Sequence, residues 1–347
     1  MIKIRSLTHI YPGARRQTPR PALFQFNLHV AEGEFCVLSG PNGSGKSTLF
    51  HILCGMLLPS AGSVTIGGYD LFRVPRMVRK ITGVVFQSPA VDKYLTVSEN
   101  IALYATLYGM SSKSVRLQEA LEWTNLKNRL HQKVHTLSGG LARQLELAKC
   151  LLTRPKVLLL DEPTSGLDPA SRRNFLEMLK SIQRERGMTV LMTTHLFAEA
   201  EEAHRVVIMK DGQLLACDTP SHLRSSMGRE MIVVVPTDPE ALAIALKHDM
   251  ALQPLRSGDE LRLENVGPRE SLSLLEVILS RYRSQIHSVS IKQAALEDVF
   301  IHLTGHQTES QSPPADSKSP LSSVEKPDAR DHTAIDVVDG GGGEREQ

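Results

Sequence analysis

The chain has 347 residues, 41% of them apolar and 22% charged, with a formal net charge of +2; length and composition fit about two globular domains, each with a packed core. The nine acidic and four basic residues from His306 onward leave +7 on the rest of the chain, too small a surplus to mark nucleic acid or anionic lipid as the partner. No apolar run approaches the roughly 18 residues of a membrane span, the N-terminus alternates as a strand rather than as a secretory signal, and Cys36, Cys54, Cys150 and Cys217 lack C-x-x-C spacing, so they read as reduced core residues of a cytosolic protein rather than staples or metal ligands.

In chain order, Ile2–Thr8 and Phe24–Val30 read as strands flanking a basic loop, residues 13–20, that suits a solvated insertion. Glu34–Ser39 reads as a buried strand. It runs into Gly40-Pro41-Asn42-Gly43-Ser44-Gly45-Lys46-Ser47-Thr48, which meets G-x-x-x-x-G-K-S/T at every fixed position. Leu49, Ile52, Leu53 and Met56 then recur at helical spacing. Strand, glycine loop and helix N-terminus together make an anion cradle: backbone N–H groups curl around a phosphate and the helix dipole adds partial positive charge. In such a loop the Lys46 ammonium reaches the β- and γ-phosphates of a nucleotide, and the Ser47 hydroxyl ligates Mg²⁺.

Ser63–Ile66 is a short strand closed by Gly67-Gly68, and Ile81–Phe86 is a strand ending at Gln87. Thr96 and Glu99 form a capping box that opens a helix through about Tyr108, and residues 111–135 read as helical with mixed charge. Ser138-Gly139-Gly140 stands before a helical stripe of Leu141, Leu145, Ala148 and Leu152. It is either a second phosphate-type helix N-terminus or an ordinary N-capped helix. Val157–Leu160 is a continuous apolar run of buried-strand type that ends in two carboxylates, Asp161 and Glu162. There Asp161 can orient a Mg²⁺ shell and Glu162 can polarise water toward a γ-phosphate. Thr189–Thr194 is a further buried run, and Val206–Met209 and Gln213–Ala216 flank the hairpin signal Lys210-Asp211-Gly212. Strands alternating with helices predict a mostly parallel α/β sheet with antiparallel strands added near the N-terminus. One glycine loop and two phosphate-type helix starts are reconciled by a head-to-tail homodimer sandwiching two ATP molecules. Each ATP then meets Gly40–Thr48 of one chain and Ser138–Gly140 of the other.

From Gly228 the texture changes. Met231–Val235, Leu261–Val266 and His287–Ile291 read as strands, Pro239–Lys247 and Ser271–Arg281 as helices, and 251–255 as one further candidate strand. That order predicts a small split βαβ, ferredoxin-like domain closed by a helix over Ala294–Leu303. Beyond His306 the chain is rich in Ser, Pro, Asp and Gly and is expected to be disordered, because it cannot bury enough surface to offset its ordering entropy. The expected division is 1–227, 228–305 and 306–347.

Taken together, the motifs over about residues 1–220 resemble, in order, those of the nucleotide-binding subunit of an ATP-binding cassette (ABC) transporter. The resemblance implies a P-loop NTPase fold with a parallel sheet, an added antiparallel β-subdomain and a helical subdomain over about residues 88–155. It assigns Tyr11 to stacking on adenine, and Gln87 to the loop that reaches Mg²⁺ and couples the site to a membrane partner. Leu137–Gly140 match the family signature, Asp161 and Glu162 the metal-orienting aspartate and catalytic glutamate, and Ser165–Asp168 the loop that contacts the other subunit. His195 matches the switch histidine at the γ-phosphate. Leu141 stands where many members carry Gln. Ala295–Gly305 resembles the ending of daunorubicin-resistance-type, ABC-2 class export ATPases. The implied protein is a peripheral ATPase at the cytoplasmic face of the membrane, using ATP and Mg²⁺. It would power export of a drug-like or lipophilic compound through a separate integral membrane permease, with Ser88–Asn100 as the contact surface. The alternative is a soluble ABC ATPase acting on nucleic acid or ribosomes. It lacks support here, since the chain holds one glycine loop rather than two and no basic, aromatic-interleaved patch.

Overall fold

Alternating apolar residues build the first sheet of the computed structural model, which describes residues 1–12, 21–110, 115–226, 230–266 and 268–304. In it β1 (Ile2–Ile10) lies antiparallel between β2 (Pro21–Val30) and β4 (Ala61–Ile66), and β5 (Tyr69–Asp70) completes the order β2-β1-β4-β5. The basic loop 13–20 and the acidic stretch from His306 fall outside the described residues. β3 (Phe35–Ser39), buried at every position, leads through the glycine loop into α1 (Lys46–Leu53).

The strand expected over Ile81–Phe86 is shorter than its sequence pattern. Pro75 presets the first turn of α2 (Pro75–Ile81), a helix that the apolar pattern does not reveal, and β6 occupies only Thr82–Val85. α3 (Val97–Leu107) carries both bonds of the Thr96/Glu99 capping box. The expected helix over 111–135 is corrected too: among the described residues only α4 (Val115–Glu122) is α-helical, followed by two single 3₁₀ turns. The backbone there has other partners. The Thr124 hydroxyl donates to Leu121 O at 3.1 Å, and Asn125 N donates to the Gln144 side chain at 2.9 Å.

α5 (Gly139–Leu151), β7 (Val157–Asp161), α6 (Pro169–Arg186), β8 (Thr189–Thr194), α7 (Phe197–Ala200), β9 (Arg205–Lys210), β10 (Gln213–Asp218) and α8 (Pro220–Ser225) follow. The second sheet runs β10-β9-β3-β8-β7-β6, parallel throughout except for the β9–β10 hairpin at its edge. That hairpin turns at Asp211 (φ 50°) and Gly212 (φ 75°), both left-handed, as a two-residue turn between twisted strands requires. Period-two alternation splits the central strands between two cores. Phe35, Val37, Leu158 and Leu160 face the helices, while Cys36, Leu38, Val157 and Leu159 face α1 and the antiparallel sheet. The four cysteines are free thiols, and burial pushes Cys54 and Cys150 up to about 12.

The third sheet uses β11 (Glu230–Pro236), β12 (Leu255–Ser257), β13 (Glu260–Val266) and β14 (Ile286–Lys292) in the order β12-β13-β11-β14, all antiparallel, with α9 (Pro239–Met250) and α10 (Pro268–Tyr282) as its crossings. This is the split βαβ order. Along β11, Ile232 and Val234 pack with Leu242, Leu246 and Ile278, while Met231 and Val233 join the large core shared with α11 (Leu296–Thr304). Phe300 of α11 lies against Phe197 of α7 with ring centroids 5.1 Å apart.

Candidate nucleotide site

The parallel register brings distant residues level. Ser39 pairs with Thr194, Asp161 with Thr193, and Val85 with Leu160, so the C-terminal ends of β3, β8, β7 and β6 form one edge. Ligands of open α/β sheets bind at that edge. The glycine loop leaves β3 there, Gln87 follows β6, Asp161 and Glu162 end β7, and His195 follows β8.

The loop is packed against its surroundings. A Cβ at Gly45 (φ 100°) would sit 2.5 Å from Ala22 O, and one at Gly40 would sit 2.3 Å from Met209 O. Only glycine fits either place. Lys46 Nζ folds back to donate to Gly40 O at 2.7 Å and to Pro41 O at 2.9 Å. Burial lowers the Lys46 ammonium below the usual lysine range, against the pull of Glu162 and Asp161. Ser47, Asn42 and Gly43 are exposed, and the Ser44 hydroxyl is buried without a partner. An anion in the cradle would give the Ser44 hydroxyl the partner it lacks and offer Lys46 a charged acceptor in place of loop carbonyls. Tyr11 is exposed beside this loop. Its hydroxyl lies 3.2 Å from Thr48 Oγ1, and its ring meets His9 edge-on at 4.6 Å.

Across the edge, Glu162 Oε2 accepts from Gln87 Nε2 at 3.1 Å and lies 3.2 Å from His195 Nδ1. Three side chains from three strand ends thus meet on one carboxylate oxygen. Glu162 holds φ 40°, a left-handed conformation a β-bearing residue adopts only under constraint. The constraint is Thr193: its hydroxyl and carbonyl oxygens both accept the Glu162 N–H, at 2.9 and 3.2 Å. The same hydroxyl donates to Asp161 Oδ1 at 2.5 Å. Burial raises the Asp161 carboxyl above its usual range, with the Thr193 bond opposing it. The Ser47 hydroxyl, the Gln87 amide oxygen and the Asp161 carboxylate are hard oxygen donors with a single charge among them. That set fits Mg²⁺, which keeps most of its waters and takes few protein ligands beside phosphate.

Ser138, Gly139 and Gly140 are not in this cluster. Ser138 caps α5 by accepting from Leu141 N at 3.4 Å, and Ser138 and Gly139 are exposed. Gly140 is buried against α6, where a Cβ would come 2.9 Å from Ser171 Oγ. Asp168 caps α6 through Ala170 N and Ser171 N. Sequence reasoning passed over Thr193, which in an apolar run has the look of an ordinary β-former. It also passed over Arg143, whose side chain is 2% exposed and donates to the carbonyls of Phe86 and Gln87. Helical spacing from the buried Leu147 and Cys150, four and seven residues on, could have flagged Arg143 as inward-facing.

A parallel sheet with a lysine-bearing glycine loop, an aspartate at the end of the strand two places along and a carboxylate beside it defines a P-loop nucleoside triphosphatase. The ABC transporter family matches residues 23–165. The daunorubicin resistance ATP-binding protein DrrA2 of Streptomyces coeruleorubidus is 34% identical over 85% of this chain and 94% of its own. The Nod factor export ATP-binding protein I of Paraburkholderia xenovorans is 36% identical over 81% of this chain and 91% of its own. A solved ATP-binding cassette, dimeric in a post-hydrolysis state with ADP and Pi, superposes with a TM-score of 0.57 at 29% identity, over 63% of this chain and 98% of that one. The chain belongs to the ABC transporter ATP-binding proteins and is an ATP-hydrolysing cassette subunit of the ABC-2 export type.

Proposed function

We propose that this subunit works as a head-to-tail homodimer at the cytoplasmic face of a membrane, driving a separate permease that exports a drug-like or lipophilic compound. The names of its relatives support export. The absence, among the described residues, of any helix long and apolar enough to cross a membrane is compatible with a separate permease.

The observation that carries the mechanism is the convergence of Gln87 and His195 on Glu162 Oε2. In this reading the loop amides and Lys46 hold the phosphates, and Tyr11 stacks on the base. Glu162 takes a proton from the attacking water, with its orientation set by Gln87, His195 and Thr193. Ser47, Gln87 and Asp161 hold Mg²⁺, which supplies charge stabilisation at the phosphates when bound. The exposed Ser138 and Gly139 present the N-terminus of α5 to the γ-phosphate on the second subunit. Closure on ATP and opening after hydrolysis give a two-state switch that the permease reads. Its docking surface is the segment Ser88–Asn100 with the adjoining cleft of about 290 Å³ between α1, α2, α3 and α5, lined by Leu53, Leu71, Val78, Tyr104 and Tyr108.

Glu162→Gln tests the reading directly. The variant keeps a hydrogen-bonding amide but cannot accept the proton, so ATP binding persists, turnover falls by about 10²–10⁴-fold, and an ATP-bound dimer accumulates in size-exclusion chromatography. Wild-type turnover in this variant removes Glu162 as the base.

A further inference from the structure

The backbone around Gln87 is irregular, yet Phe86 O, Gln87 O, Ala90 N and Ala90 O are all held by one face of α5. Arg143 donates through Nη1 to Phe86 O and through Nη2 to Gln87 O, and its Nη1 also reaches Glu146 Oε2 at 2.6 Å. Glu146 Oε1 accepts Ala90 N at 2.6 Å, and Lys149 Nζ donates to Ala90 O at 2.5 Å. The three side chains stand three residues apart and so form one stripe along the helix. Arg143 and Glu146 are 2% and 5% exposed, so these bonds act out of water, where an unpaired partner is costly. On the far side, Phe86 meets Phe50 of α1 edge-on at 6.0 Å.

α5 begins at Ser138–Gly140, and Gln87 ends on Glu162. A continuous path of short bonds therefore runs from the exposed N-terminus of α5 through the stripe to the carboxylate of the chain's own site. We propose that Arg143, Glu146 and Lys149 are positioning residues forming a clasp that fixes the backbone of residues 86–90 to α5. Movement of α5 against the nucleotide of the second subunit is thereby transmitted to Gln87 and Glu162. Arginine is required at 143 because only a planar fork spans two successive carbonyls while keeping a third bond to Glu146. Burial raises Glu146 and lowers Lys149 from their usual ranges, as expected for an ionic stripe kept from solvent.

This inference rests on the dimer reading above, and the test separates the two. Arg143→Lys retains the charge and loses the fork. The expected result is unchanged ATP affinity, kcat lower by about 10–100-fold, and a Hill coefficient for ATP that falls from above one to one. Lys149→Met removes the ammonium, and with it the bond to Ala90 O and the cation–π contact over Tyr104, while Arg143 and Glu146 keep theirs. Because Lys149 is half-buried, this variant folds even if Arg143→Lys does not. Its kcat falls about threefold at unchanged KM, and the Hill coefficient falls with it. A double Lys149→Met, Glu162→Gln variant still forms the ATP-bound dimer; failure to do so while Glu162→Gln alone dimerises shows a clasp needed for assembly rather than for coupling, and overturns the proposal. Folded variants with wild-type kcat and cooperativity overturn it as well. If Glu162→Gln alone never dimerises, the dimer reading fails first.

Discussion

The glycine loop and the Glu162 cluster sit on one sheet edge but are built in opposite ways. The loop is nine consecutive residues whose shape is dictated by backbone, with Gly40 and Gly45 closing against Met209 O and Ala22 O. The cluster takes Gln87, Glu162 and His195 from three strand ends and depends on the register of β6, β7 and β8. In the proposed mechanism the loop recognises a group, phosphate, that is present before and after the reaction. The cluster, in the same proposal, handles a proton and a water that matter only during it. A contiguous element suits binding, and an assembled one suits conditional chemistry, because its parts can be moved apart by any motion of the segments that bear them.

Substitutions can separate these two constructions. The largest contrast is Lys46→Ala against Glu162→Gln. Lys46→Ala removes a charge-assisted phosphate contact, so ATP affinity falls by about 10²-fold, measured by calorimetry, while Glu162→Gln leaves affinity intact and removes turnover. Equal affinity in the two variants would erase the distinction. Next is Thr193→Val, which touches no nucleotide. It leaves Asp161 Oδ1 without its donor and the strained Glu162 N–H with only the Thr193 carbonyl, so kcat drops about 10–50-fold with ATP affinity reduced by less than threefold. Steady-state kinetics decide whether the loss lies in kcat.

The smallest effect concerns stability. Burial raises Asp161 in the folded chain, so the native state binds its proton more readily than the unfolded state. The sign follows: this group's contribution is most favourable below the ordinary carboxylate range and declines as pH rises through the folded value. Asp161→Asn removes that decline. Thermal unfolding of the nucleotide-free variant at neutral pH should move up by a few degrees, and its pH dependence on the acid side should flatten, while hydrolysis is lost. A nucleotide-free variant less stable than wild type at neutral pH would mean that the Thr193 bond outweighs burial.

Residues whose role follows from local chain geometry were legible in the sequence. Gly40–Thr48 carry their loop shape in their spacing, the Thr96/Glu99 box in its interval, and the Lys210-Asp211-Gly212 turn in its composition. Continuous apolar runs also gave β7 and β8, since strands of a parallel sheet covered on both faces have no polar side to alternate with. What failed had local cues that competed with tertiary ones. Residues 111–135 carry helix-forming composition, yet Thr124 and Asn125 spend their hydrogen bonds elsewhere. Pro75 starts a helix where no apolar stripe announced it.

By itself the sequence determined that a glycine loop of phosphate-binding spacing occupies Gly40–Thr48, that carboxylates end an apolar strand, and that the chain alternates strand and helix before a differently textured C-terminal region. Only tertiary structure decided that Gln87 and His195 share one oxygen of Glu162, that Thr193 orients both Asp161 and Glu162, and that Arg143 grips the backbone at Phe86 and Gln87. These contacts join residues 31 to 75 positions apart in the chain. Sequence spacing fixes dihedrals over a turn or two, whereas the meeting of strand ends depends on the order and register in which the sheet assembles.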